Sequence, residues 1–429
     1  MLCQAKASEF LHTWHVLIGG LRRTMQRIWR CVCKVLLRLL PARPHAVVHG
    51  WPDDEGNAVE VVRALRRRYR GKVYWLLSDT GYTGPLDAAE ELSDTSRIVR
   101  IHKNSVRSIL LALRAEVTFF THGLFTAVDP PRDRLVVNLW HGDGPKIARD
   151  TDLIRSTVLV ANTVLWGEKR ARRYGLPIEN LAVVGNPRVD QLTSISRDEV
   201  LTRLGLDPDC RTILWLPTYR AATGPLGRSW SDGDNLSENA SVAEIVNAID
   251  SVVTDSALQV VLKPHPLDAD AYSGLSIEVL PHARLREVGC TLYQLLGAAD
   301  AIISDISSVW TDFLRLDRPI GFYVPDLEEL TVRRGLSVEN VASLLPGPRI
   351  RTAQDACDFL RTVASDPREI RPSRYPGFAE IGPALDDRVT DRLLDWLDNF
   401  QRARGQEALF AGRELPTNRL PETLVVPSA

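Results

Sequence analysis

The chain has 429 residues, a formal charge of −1, and 44% hydrophobic against 25% charged residues. That length exceeds one typical core and suits two domains plus extensions. The composition is that of an ordinary globular protein, and a charge this close to neutral supplies no basic field for nucleic acid. Six cysteines (Cys3, Cys31, Cys33, Cys210, Cys290, Cys357) lack zinc-like pairing and read as reduced thiols.

The first stretch, Phe10 to Leu21, is apolar but short, and Leu21 to Leu40 mixes Leu, Ile, Trp and Val with Arg22, Arg23, Arg27, Arg30, Lys34 and Arg38. No acid stands between Glu9 and Pro41. A membrane span needs roughly 20 uninterrupted apolar residues, and a signal peptide places its cations before its apolar run. Residues 1–45 are therefore expected to form a basic amphipathic helix lying on an anionic membrane surface. The alternative is a helix whose apolar side packs on the protein's own core.

From Ala46 the pattern becomes strand–helix alternation. Strands are predicted at Ala46–His49, Lys72–Leu77, Ile98–Ile101, Val117–Thr121, Arg134–Trp140, Val158–Ala161 and Leu181–Val184. A second series covers Thr212–Leu216, Val260–Leu262, Ile277–Leu280, Ala301–Ser304 and Ile320–Tyr323. Helical spacing marks Asn57–Arg70, Val242–Thr254, Leu292–Ala298 and Ala353–Ala364 between them. Short apolar strands alternating with amphipathic helices imply parallel sheets covered on both faces. The fold class is α/β, with two Rossmann-like domains facing across a cleft, at 46–190 and 191–404. The second ends in a returning helix, and 405–429, rich in Pro and without periodicity, is expected to be disordered. Ala221–Ala240 reads as a polar loop able to cover the cleft.

Polar clusters fall where these strands end, the edge at which such sheets bind ligands. Asn138-Leu-Trp-His-Gly-Asp-Gly-Pro-Lys146 ends a strand with His141, a side chain able to act as a base near neutral pH. Gly185-Asn-Pro-Arg-Val-Asp190 and Leu216-Pro-Thr-Tyr-Arg220 are polar turns, and Val261-Leu-Lys-Pro-His-Pro266 sets Lys263 beside a rigid His265. Most informative is Ala299 to Leu314, where an apolar strand stops at Ser304-Asp305 and Ser307-Ser308 open a helix. That arrangement presents hydroxyls and backbone N–H groups suited to phosphate, although a plain Ser cap is the commoner use of such residues. Together the clusters suggest group transfer from a nucleotide-activated donor.

Trp140-His141-Gly142 with Lys146, Gly185-x-Pro187-Arg188-x-Asp190, Pro217-Thr-Tyr-Arg220 and His265-Pro266 occur in that order. Ser304-Asp-Ile-Ser-Ser308, Phe322-Tyr-x-x-Asp326, Arg334-Gly335 and Pro346-Gly-Pro348 follow. From about Ala46 to Leu394 the series resembles the CDP-glycerol glycerophosphotransferases that build teichoic acids on bacterial membranes. The resemblance implies a GT-B-like fold, metal-independent or weakly metal-dependent chemistry with no cofactor firmly required and no metal-ligand residues assigned, and peripheral attachment to the cytoplasmic face of the bacterial membrane. It implies a CDP-glycerol or other CDP-polyol donor and a lipid-linked or polymeric acceptor. Carried over by position, His141 would deprotonate the acceptor hydroxyl and His265 would bind pyrophosphate or assist departure of CMP. Ser307 and Ser308 would hold donor phosphates, with Thr218, Arg220 and Lys263 lining the same cleft. Asp305 and Asp326 would order the loop or meet donor hydroxyls, and Trp140, Gly142, Lys146 and Arg188 complete the set.

Two positions depart from the family pattern. His-Gly-Thr-Pro-Leu-Lys is here His141-Gly-Asp-Gly-Pro-Lys146, which bears on the base's neighbourhood and on the acceptor. Ile306 replaces the usual Tyr before the paired serines, which bears on the choice of polyol, ribitol included. A GT-B glycosyltransferase using a nucleotide sugar and a non-catalytic membrane-bound scaffold are the competing readings.

Overall fold

Residues 24–25, 27–82, 97–124, 128–147, 155–217, 242–253, 257–264, 276–325, 327–385 and 388–410 are described by the computed structural model. Within them, residues 27–39 are helical, and the first lobe follows. It comprises β1 (Arg43–His49), α1 (Gly56–Arg68), β2 (Lys72–Leu77), β3 (Ile98–His102), α2 (Val106–Arg114) and β4 (Ala115–Phe120). It continues through β5 (Leu135–Asn138), β6 (Val158–Ala161), α3 (Val164–Arg173) and β7 (Leu181–Val183). A 3₁₀ segment, Pro187–Thr193, leads to the second lobe: α4 (Arg197–Leu204), β8 (Arg211–Leu216), α5 (Val242–Val253), β9 (Leu258–Leu262) and β10 (Glu278–Val279). Then come α6 (His282–Glu287), α7 (Leu292–Ala298), β11 (Ala301–Ser304), α8 (Val309–Phe313), β12 (Ile320–Phe322), α9 (Ala353–Ser365) and α10 (Val389–Ala403).

The strands form where short runs of Val, Ile, Leu and aromatics are buried on both faces, as in Val158–Ala161 and Ala301–Ser304. Several helices start on side-chain caps. Glu55 accepts from Ala58 N before α1, whose last turn carries Arg66, Arg67 and Arg68 against the negative helix end. Among the described residues these twelve strands pair in parallel throughout, in two sheets ordered β3-β2-β1-β4-β5-β6-β7 and β10-β9-β8-β11-β12. In the first sheet the order reverses between β1 and β4, in the second between β8 and β11. Loops leaving such neighbours splay to opposite faces and open a crevice beyond the strand ends.

Both sheets are covered on two sides. In the second lobe α4, α7 and α8 pack on one face, and α5 with α9 pack on the other. In the first lobe α1 shares its face with Leu393, Leu394 and Leu397 of α10, so the last helix crosses back into the first core. Residues 405–410, inside the stretch expected to be disordered, are ordered there too. Leu409 N and Phe410 N donate to Asp398 Oδ1 at 2.8 and 3.0 Å, and the Phe410 ring is 1% exposed. Burying that ring against Tyr69 and Phe119 explains the order.

Candidate active site

In the first lobe, register puts His49 beside Phe120 and Phe120 beside Asn138, so β1, β4 and β5 end level. The residues just beyond are Gly50-Trp51, Thr121-His122 and Leu139-Trp140-His141. Asn138 Oδ1 accepts from Trp140 N at 2.9 Å, and Asn57 Nδ2 donates to Trp140 O at 3.1 Å. Between these anchors Trp140 takes φ +57, a left-handed turn costing a non-glycine residue about 1 kcal/mol. Its ring is 7% exposed, under the guanidinium of Arg170 at 4.8 Å, so it backs the cleft wall and supports His141 at 4.2 Å.

The His141 imidazole stacks on His122 with centroids 4.0 Å apart and planes 12° apart. Its Nδ1 lies 3.4 Å from the Thr121 carbonyl oxygen, which can only accept. The proton therefore sits on Nδ1, and Nε2 keeps its lone pair. Burial first, then the neighbouring His122, pushes the ring down to about 3. Burial and His49 push His122 down to about 4, and burial and Lys103 do the same to His49. The stacked rings of His122 and His141, and His49 at the end of β1, are thus all neutral imidazoles.

Gly142 turns the chain from His141 toward the second lobe at φ +142, and a Cβ there would lie 2.2 Å from Ser308 Oγ. Only glycine admits both the backbone angle and that approach. Asp143 is fully buried: Asn162 N, Thr163 N and Thr163 Oγ1 donate to it at 2.9, 2.8 and 2.9 Å, and it forms an ion pair with Arg170. The acid replacing the family's threonine is therefore spent inside the first lobe, fastening the loop. Lys146 is half-buried and bridges to Leu336, while Ser337 N donates to Pro145 O at 2.8 Å.

In the second sheet Leu216, Ser304 and Phe322 lie level, with Leu262 one step back. Beyond β11, Asp305 Oδ1 accepts from Ser307 N at 2.8 Å, and Ser307 Oγ accepts from Val309 N at 3.2 Å. Asp305 thus orders the turn. The helix that Ser307 and Ser308 open, α8, is a single five-residue α-segment continued by a 3₁₀ turn at Leu314–Leu316. Its dipole is correspondingly small, and the two half-buried hydroxyls are the larger attraction for an anion. Ile306 is fully buried in the second core. Lys263 follows β9, is 5% exposed, and donates to Pro264 O at 2.8 Å. Burial pushes its ammonium down to about 8, so it remains charged at neutral pH.

The lobes are joined below this cleft by Arg188. Its guanidinium donates to Asp312 Oδ2 at 3.0 and 2.7 Å and to His141 O at 2.8 Å, and it lies 4.9 Å from the Tyr293 ring centre. Burial would lower its pKa, but Asp312, Tyr293 and Glu55 outweigh that and raise it. Arg188 is a structural tie that also holds the backbone of His141. Thr218, Arg220, His265 and Asp326 lie outside the described residues, as does the 221–240 loop. Sequence reasoning did not single out His122 or Trp51. The signal for His122 was present, since Thr121-His122-Gly123 repeats at β4 the pattern of a His then Gly just past a strand. Among the described residues no group of three or more His, Cys, Asp or Glu side chains is arranged to hold a metal ion.

Residues 53–397 match the family model of CDP-glycerol:poly(glycerophosphate) glycerophosphotransferase. The teichoic acid poly(glycerol phosphate) polymerase of Bacillus subtilis strain 168 is 25% identical over 354 residues, covering 76% of this chain and 44% of that protein. The teichoic acid glycerol-phosphate primase of the same strain is 48% identical over 71 residues, 17% of this chain and 18% of that one. The wall teichoic acid polymerase TagF, as a histidine variant soaked with CDPG, superposes with a TM-score of 0.65 at 16% identity. That superposition covers 89% of this chain and 95% of that one, and it identifies the two-lobed arrangement as the GT-B-like fold. With four-fifths of its length inside the family model, the chain belongs to the CDP-glycerol:poly(glycerophosphate) glycerophosphotransferase family.

Proposed function

We propose that this protein transfers glycerol phosphate, or a related polyol phosphate, from a CDP-activated donor to a hydroxyl of a lipid-linked or polymeric envelope acceptor, releasing CMP. The observation that carries the reading is the seat of the His141-Gly142 turn directly on Ser308. It brings the turn that carries His141 in one lobe against the hydroxyl-bearing strand end of the other. The family supplies the donor class.

The acceptor oxygen attacks the donor phosphorus that carries the polyol, and its proton passes to Nε2 of His141. The bond from that phosphorus to the bridging oxygen breaks, and CMP leaves with the electron pair. Ser307, Ser308 and Lys263 are assigned to the phosphate oxygens, where fixed donors and a cation stabilise developing charge. Lys263 fits this role because a buried ammonium bonded to a carbonyl gains from an anion beside it. A ring held near 3 is a weak base in the free protein. Two donor phosphate charges nearby raise it toward the useful range, so the base is activated once the donor is seated. Thr218, Arg220, His265 and Asp326 keep their expected donor-side roles in this reading.

Attachment to the cytoplasmic face of the membrane is part of the proposal. Met25, Ile28, Val32, Val35 and Leu39 recur at helical spacing and are all exposed, with Arg27, Lys34 and Arg38 exposed beside them. An apolar stripe flanked by cations suits an anionic bilayer surface. Among the described residues no helix is long and apolar enough to cross a membrane.

The test is incubation with labelled CDP-glycerol, CDP-ribitol or UDP-glucose on a lipid-linked acceptor, with mass analysis of the product. Acceptor-dependent CMP release with a polyol phosphate added to the product is expected. UDP release with a hexose added, or binding of CDP-polyols without turnover, overturns the reading.

A further inference from the structure

We propose that Trp51 is an acceptor subsite that stacks against a sugar ring, so that the attacked hydroxyl is carried by or next to a carbohydrate. The inference rests on the transferase reading above and names the acceptor class for the same site.

Trp51 is 58% exposed, whereas Trp75, Trp140, Trp166, Trp215 and Trp310 are all 7% exposed or less. It lies two residues past β1, and His122 lies two residues past β4, so the pair flanks the crevice where the strand order reverses. The indole and the His122 ring make a T-shaped contact at 5.4 Å and 76°, and His122 stacks on His141. An unbroken run of rings therefore leads from solvent to the base.

The loop bearing Trp51 is tied on both sides. Trp51 N donates to Thr121 Oγ1 at 3.3 Å. Asp53 accepts from Ser78 N at 2.8 Å and Asp79 N at 3.0 Å, and lies 3.5 Å from Lys103 Nζ. Asp54 reaches across to the second lobe, accepting from Arg286 Nη2 at 2.7 Å. A loop tied by so many fixed contacts holds its exposed indole at a set place, which spares a ligand part of the cost of ordering it.

The chemistry selects the ligand. One face of a pyranose is a flat array of C–H bonds that covers an indole, while its hydroxyls stay at the rim where water or polar groups satisfy them. A polyol phosphate chain has no such face and carries one negative charge per unit. The cations beside the shelf, Lys103 and Arg286, are already engaged by Asp53 and Asp54. The shelf is thus suited to a neutral ring over a polyanion.

The experiment compares hexyl β-D-glucopyranoside with a glycerol phosphate trimer as acceptors for labelled CDP-glycerol, using the full chain and its Trp51→Ala and Trp51→Phe variants. Binding of the glucoside alone is followed in parallel by saturation-transfer NMR. Expected results are preferential labelling of the glucoside and a rise in its KM of about tenfold in Trp51→Ala with a much smaller change in kcat. Trp51→Phe should recover most of the loss, and the NMR transfer should collapse in Trp51→Ala. An unchanged glucoside KM and unchanged NMR transfer in Trp51→Ala overturn the subsite, as does preferential labelling of the trimer. If no CMP is released with either acceptor, the transferase reading fails, while the NMR comparison still decides the subsite.

Discussion

Arg188 and Asp312 meet across the boundary between the lobes at 2.7 Å, with side chains 9% and 0% exposed. Tyr293 and Asn186 also donate to that carboxylate. Removing one partner strands the other charge away from water, a loss of about 3–5 kcal/mol. Asp312→Ala is therefore expected to lower unfolding free energy by that order in urea titrations. The double variant Arg188→Met with Asp312→Leu should recover part of it. Equal stability of Asp312→Ala and wild type would show that the pair does not couple the lobes.

The same guanidinium holds the main chain of the proposed base, so the base itself is the next test. His141→Ala should lower turnover by about 10² to 10⁴ while leaving donor affinity within a few-fold of wild type. Equilibrium binding of CDP-glycerol and single-turnover rates separate the two effects. Normal turnover would remove His141 from the chemistry.

His122 is assigned a positioning role, since it touches His141 and not the reacting atoms. It touches Trp51, Thr121 and His141, with His49, Arg188 and Lys103 acting on it electrostatically. Losing its ring in His122→Asn opens the His141 ring to water and removes a neighbouring imidazole. The His141 pKa then rises, and the acid limb of kcat/KM moves to higher pH. A rate loss with no movement of that limb, or of the His141 ring signals in an NMR titration, would mean that His122 only fills space.

Most of the scaffold was legible because strands buried on both faces are written as continuous β-branched runs. All twelve predicted strands correspond to observed ones, and the predicted Leu292–Ala298 helix has the observed ends. The turn at Ser304–Ser308 could be read because strand, hydroxyls and helical spacing are adjacent in sequence. What could not be read depends on partners that are distant in the chain. Asp143 looked like a change beside the base, yet Arg170, 27 residues on, draws its carboxylate into the lobe. Trp51 is one apolar residue among many until β1 and β4 are known to be neighbours. The return of α10 and Phe410 to the first lobe likewise lies in packing, which a Pro-rich tail does not announce.

Lys263 supplies a pH test with a definite sign. Its ammonium is held near 8 in the free protein, and an anionic donor binds the charged form. As pH rises above about 8 the free protein must first take up a proton, so donor affinity falls by up to about tenfold per pH unit. At pH 7 the Lys263→Met variant should bind CDP-glycerol roughly 10- to 100-fold more weakly, the range for a charged hydrogen bond. It should also show no further loss between pH 7 and 9. A wild-type affinity that is flat across that range would separate Lys263 from the donor phosphates.

The exposed stripe on the N-terminal helix permits a test in the full chain, without truncation. Ile28 and Val35 are 60% and 54% exposed, so replacing each with Glu disturbs no internal packing. On a bilayer each would bury side-chain area worth about 1.5–3 kcal/mol, and each carboxylate adds repulsion from anionic lipid. Ile28→Glu with Val35→Glu should therefore weaken partitioning onto phosphatidylglycerol-containing vesicles by at least about a hundredfold. Thermal unfolding and CDP-glycerol binding should stay as in wild type. Vesicles without anionic lipid should retain little of either protein, because Arg27, Lys34 and Arg38 then lose their counter-charge. Sedimentation of the double variant with anionic vesicles at wild-type levels would assign membrane contact to another surface and return this helix to a purely structural role.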